Sequence, residues 1–250
     1  MLIGKNSLLA AALPLIIVLA GCSKKDETAA DAAAIAEDTL LGTAQSQGQA
    51  DAQQAALPKP DKTKPLDSYP ELKGGQQVMF LYAAAAKLPP DFEKMAQTFS
   101  SEYRQTKDAF RKNDLMQALK PQIEQQIAAA AAQPYAWVDL DDADLGSYDF
   151  ERKGFPVGEF LAEHHRYFND AYDYSYTWSN RNQVDFAPVS DEALARQIEG
   201  MRSKWNSKPG LKIFFFAQSA DLNSQRIQAL VTHVQLIDRQ GRVLVEYGPK

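Results

Sequence analysis

The sequence holds one cysteine, Cys22, and three histidines in 250 residues. A single thiol excludes an internal disulfide, a multi-cysteine zinc site and an iron–sulfur cluster. Three histidines leave little choice of imidazole base, and no GxSxG, SxxK or HExxH spacing accompanies them. GxGxxG and P-loop patterns are missing too, so nothing in the sequence points to a nucleotide or other cofactor. Basic charge is also scarce. With Lys5 set aside, 26 basic residues face 32 acidic ones from Cys22 onward, a net of −6. A duplex-binding surface needs clustered Lys and Arg to displace counterions, so nucleic acid is not an expected partner. Aromatic residues are absent before Tyr69, which sets a long amino-terminal stretch apart from the rest.

That stretch has its own pattern. Lys5 precedes an apolar run from Ser7 to Ala20, interrupted only by Pro14. A membrane-spanning helix needs about 20 apolar residues, and this shorter run suits the core of a signal peptide over residues 1–21. It ends in Leu19-Ala20-Gly21-Cys22. This sequence resembles the lipobox of bacterial lipoproteins: an aliphatic residue, two small residues, then cysteine. The resemblance implies cleavage before Cys22, diacylglycerol on its sulfur and an acylated new amino terminus, so that the membrane itself is a partner. Ser23 follows where an Asp would resemble an inner-membrane retention signal. The implied location is therefore the cell envelope, at the outer membrane and facing the periplasm.

Residues 22–70 are rich in Ala, Gln, Asp, Thr and Lys, with prolines at 58, 60, 65 and 70. Such a composition offers too little apolar surface to hold a core and reads as a tether. Residues 71–250 then read as one α+β domain, with a helical part over 74–133 and a sheet part over 134–250. Gln76–Lys87 suits a helix, although Val78–Tyr82 also fits a strand. Pro89-Pro90-Asp91 opens a second helix in which Phe92, Met95, Phe99, Tyr103 and Phe110 share a face. Asn113 and Asp114 are candidate caps for a third, with Leu115, Leu119, Ile123 and Ile127 every four residues and Pro121 as a kink or restart. The expected result is a helical hairpin.

In the second part, Tyr135–Leu140 and Ala171–Asn180 read as strands and Phe160–Tyr167 as a helix. Ser190 is the candidate cap of a helix to Trp205 that buries Leu194, Ile198, Met201 and Trp205. Leu211–Ala217 is apolar on nearly both faces and suits a central strand. Ile227–Asp238 and Val243–Tyr247 flank Arg239-Gln240-Gly241 as a hairpin. The whole predicts an N-terminal helical hairpin followed by a mainly antiparallel sheet with one packed helix.

Four features bear on function. Tyr172, Tyr174, Tyr176 and Trp178 alternate along the chain and share one face of a strand. They form either the core beneath a helix or a stacking surface for a protein or glycan partner. The run Asp139 to Asp144 holds four aspartates, but it lacks the glycine and the distal glutamate that an EF-hand loop requires. His164 and His165 diverge by about 100° on a helix, a poor arrangement for one metal, and no metal site is expected. Paired carboxylates for glycan cleavage exist in number but no spacing selects a pair. Residues 145–157, LGSYDFERKGFPV, are similar to secreted bacterial proteins grouped as domains of unknown function, a resemblance that implies no activity. These readings favour a non-enzymatic envelope binding module with no assigned catalytic residue. An envelope hydrolase acting on peptidoglycan or glycan through paired carboxylates is the alternative.

Overall fold

The computed structural model describes residues 57–250, so the signal peptide, Cys22 and most of the expected tether lie outside the described residues. The fold is α+β, with helices first and a sheet after them. Helices α1 (Gly75–Ala86), α2 (Phe92–Phe99), α3 (Ser101–Gln105) and α4 (Ala109–Ala132) come before the first strand. Then follow β1 (Tyr135–Leu140), β2 (Gly154–Pro156), a single-turn helix α5 (Gly158–Leu161), β3 (Arg166–Tyr167), β4 (Ser175–Trp178) and β5 (Phe186–Pro188). Helix α6 (Glu192–Arg202) leads into β6 (Gly210–Asp221), β7 (Arg226–Ile237) and β8 (Val243–Tyr247).

The main sheet runs β1-β6-β7-β4-β3, with β8 also paired to β7. Every pair in it is antiparallel except β4 with β7. The apolar run in β6 explains its central place. Ile213 and Phe215 are fully buried on the face that meets α1, and Phe214 and Phe216 are buried on the opposite face. Leu66 and Tyr69 cover the opposite face as the middle of a strap, residues 57–72, whose Leu72 enters the main core. Tyr69 packs edge-on against Tyr135 and Phe214 at 5.0 and 5.7 Å. The Gln218 side chain donates to the Pro58 carbonyl at 3.0 Å, and the Asp61 N–H donates to the Tyr135 hydroxyl at 2.7 Å. Residues 57–70, read from composition as the end of a tether, are thus held by aromatic and backbone contacts.

Helix α1 settles the ambiguity over 78–82. Val78, Met79, Phe80 and Leu81 are all buried, which a helix achieves only when it is covered on several sides, here by the sheet and α4. Its first N–H, at Gly75, is taken by the Asp170 carboxylate at 2.9 Å. Lys87, in the left-handed region, ends it.

Several expectations are corrected. The helix opened by Asp91 breaks at Ser100, which is extended and caps α3 through its hydroxyl. Phe110 therefore leaves the expected face and is 85% exposed on α4. Asp108, rather than Asn113 or Asp114, caps α4 by accepting from the Arg111 N–H. The helix then passes through Pro121 without a break, because that residue lies on the exposed side and the Gln117 carbonyl it leaves without a donor is also at the surface. Leu119 and Ile123 are buried as expected. Only Gly158–Leu161 of the 158–167 region is helical, and the expected strand 171–180 shrinks to β4. Asp191, rather than Ser190, caps α6. That helix ends at Arg202, leaving Trp205 in a separate turn and 84% exposed.

Candidate functional site

Residues 145–157 form a hairpin. Leu145 pairs with Val157 and Asp149 with Gly154, and the Asp149 carboxylate accepts from the N–H groups of Glu151 and Arg152 to close the turn. Lys153 takes the left-handed conformation that brings the chain back. The returning arm becomes β2, which pairs with β5 and buries Phe155 and Val157 completely. Glycine is needed at 154, because a side-chain carbon there would lie 2.2 Å from the Ala187 carbonyl oxygen.

This hairpin and α6 enclose a groove of about 310 Å³. Tyr148 forms its floor, with its ring edge-on to Phe155 and Phe150 at 5.1 Å from each. The Tyr148 hydroxyl donates to the Val189 carbonyl at 3.0 Å, which fixes the ring. Phe150, at the hairpin tip, is 84% exposed. The far wall is the face of α6 carrying Glu192, Ala195, Arg196 and Glu199, and Lys153 stands at the rim. Glu199 accepts from Arg202, which holds its carboxyl below the usual range, and from the Tyr148 N–H at 3.3 Å. The groove thus joins an aromatic wall to a wall bearing both charge signs. Ser190 is the one aliphatic hydroxyl in its lining, and no histidine lines it.

A second pocket, also of about 310 Å³, opens behind the acidic run. Asp141, Asp142 and Asp144 line it together with Glu159 and Arg166. Glu159 is buried at 6% exposure. It accepts from Arg166 through both carboxylate oxygens and from the Trp178 indole N–H at 2.7 Å. The Arg166 guanidinium is in turn held more firmly protonated by Glu159. Asp142 is paired with Arg239 at 2.6 Å. A glycosidase acid must be free to give up a proton, and the buried acid of this pocket is committed to a cation and an indole. Partial desolvation holds the Asp139 carboxyl above its usual range, but the residue is exposed on β1 beside Lys212 and lies outside this lining.

The aromatic row divides. Tyr174, Tyr176 and Trp178 are core residues at 2–4% exposure, and Tyr176 stacks on Phe215 at 5.9 Å. Tyr172 alone reaches solvent, at 73% exposure. Ser175 and Thr177, on the opposite face of β4, are buried as well, so the strand has no open side. The four aromatics do not form a shared surface. His164 and His165 are exposed, and among the described residues no three His, Cys, Asp or Glu side chains group as metal ligands. No helix among the described residues is long and apolar enough to cross a membrane.

Two arrangements were not anticipated from sequence. The Glu159–Arg166 pair spans irregular chain, where spacing carries no signal. The hairpin was within reach, since an aspartate closes its turn and a glycine follows five residues later. The chain matches no protein-family model, no curated protein and no solved structure with which it was compared.

Proposed function

We propose that this protein is a lipid-anchored, non-enzymatic binding module of the bacterial cell envelope, fixed through Cys22 and facing the periplasm. Its partner is a protein, gripped as an extended peptide in the groove between the 145–157 hairpin and α6. The observation that carries the binding site is Phe150, an aromatic ring held out at 84% exposure on a closed turn, backed by Tyr148 and facing a helix of mixed charge. Apolar side chains enter such clefts while nearby charges set the register of the bound strand. The lipobox supports the anchor. The engagement of Glu159 by Arg166 and Trp178 weighs against glycan hydrolysis through paired carboxylates.

Two measurements test the two parts. Palmitate labelling of the wild type, absent in Cys22→Ser, is the expected result for the anchor. Equal membrane association of both chains without label would overturn it. For the groove, a photoreactive phenylalanine analogue at position 150 is expected to give a discrete protein adduct in intact cells. The same analogue at 110, a site 85% exposed on a helix, gives the background. Adducts no different from that background would remove the groove as the binding site.

A further inference from the structure

Trp205 is another aromatic side chain held out in water, and its surroundings differ from those of Phe150. The ring is 84% exposed in the turn Trp205–Ser207 between α6 and β6. That turn is fixed at both ends. The Ser203 N–H bonds back to Glu199, and the Ser207 N–H bonds to Lys204 at 3.1 Å. Pro209 beyond it is buried, and its carbonyl accepts from the Ala143 N–H at 2.7 Å. The indole is therefore presented on an ordered platform. Lys208 places its ammonium 5.1 Å from the ring centre, and Lys204 is exposed beside it. Neither lysine forms an ion pair among the described residues, whereas the neighbouring Arg202 is taken by Glu199.

We infer that the Trp205 turn is a membrane-contact tip that seats against a bilayer containing anionic phospholipid. An indole with an apolar body and one N–H is suited to the headgroup boundary, and flanking lysines add attraction to lipid phosphate. The positive tip is a local exception on a chain of net charge −5. The acidic run 141–144 is tied to Pro209 through the Ala143 N–H, so the two lysines stand near carboxylates and the indole leads the contact. The inference draws on the envelope reading only for placing a bilayer within reach. A single tip of this kind gives weak, reversible binding, whose role would be to orient an anchored domain rather than to hold it.

The test uses the full mature chain with Cys22→Ser, so that no lipid of its own is present. It is mixed with phosphatidylglycerol-containing vesicles and, separately, with pure phosphatidylcholine vesicles. Expected are a blue shift of the indole emission and quenching by brominated lipid on the anionic vesicles, both lost in Trp205→Ala. Lys204→Gln and Lys208→Gln should each weaken binding about fivefold at low salt. Trp137 and Trp178 remain to report the fold. Quenching unchanged by Trp205→Ala, or no vesicle binding at low salt, overturns the inference. Palmitate labelling in cells is read independently, so the anchor and the tip can fail separately.

Discussion

One carboxylate oxygen of Glu159 accepts two hydrogen bonds, from Arg166 Nε and from Trp178 Nε1, each at 2.7 Å. This joins α5 to β3 and β4 in a part of the chain with little regular structure to hold it. Arg166→Met would leave a carboxylate 5% exposed without its cation. Breaking a fully buried pair costs about 3–5 kcal/mol, and because the Arg166 side chain is 40% exposed the expected loss is nearer 2–3 kcal/mol by urea unfolding. The double variant Glu159→Gln, Arg166→Met should recover part of that loss. A double variant no more stable than Arg166→Met would show that the unpaired charge is not the source.

Phe150 and Phe155 lie on one hairpin and have opposite roles. Phe155→Ala empties a fully buried site, with an expected cost of about 3–5 kcal/mol. Phe150→Ser should change stability by less than about 0.5 kcal/mol while abolishing partner binding. Chemical denaturation of both variants checks the contrast. A large loss for Phe150→Ser would make it a structural residue.

The Glu93 carboxyl is pulled down to about 2 by hydrogen bonds from Lys112, Tyr103 and Gln97. Its value in the folded chain lies below the unfolded 4.5, so its stabilisation is present above that pH and fades as pH falls toward 2. The Tyr103 hydroxyl is pushed up to about 12 by burial and by the negative charge of Glu93. Its stabilisation is present below pH 10 and is lost as pH rises toward 12. Urea midpoints measured against pH should therefore lose slope on the acid side in Glu93→Gln and on the alkaline side in Tyr103→Phe. Because the Glu93 side chain is half exposed, solvent screening keeps the acid effect small.

Gly154→Ala should lower the melting temperature, because the new carbon would meet the Ala187 carbonyl at 2.2 Å and Phe186 at 2.6 Å. Overpacking of this kind costs about 1–3 kcal/mol. It should also displace the hairpin from β5 and reduce crosslinking from position 150. A variant with unchanged melting would mean the hairpin can move without penalty.

The parts of the fold legible in the sequence are those where periodicity and punctuation agree. The LKIFFFA run, the 239–241 turn and the Leu119–Ile123 spacing each correspond to the observed β6, hairpin and α4 face. What failed was mostly decided by single residues competing with neighbours. Ser100 and Asp108 cap helices through side-chain oxygens, and either could have been a solvated polar residue in a longer helix. Trp205 fits the apolar spacing of α6, but the helix stops three residues short of it. Of the aromatic row at 172–178 only Tyr176 and Trp178 lie on β4, and the other face of that strand is engaged where the Thr177 hydroxyl donates to the His164 carbonyl, a contact the alternation does not encode. The groove drew on two segments 40 residues apart, whose meeting no local pattern encodes.

The strap over the outer face of the sheet also determines how the domain bears a load. A pull from the amino-terminal side reaches Pro58 first, then Asp61, then Tyr69, and lastly the exchange between Leu72, Pro70 and Trp137. These attachments lie in sequence along the strap. The helices begin behind the last of them, at Gly75. A force on residue 57 would therefore meet every one of these attachments before it reaches the helices.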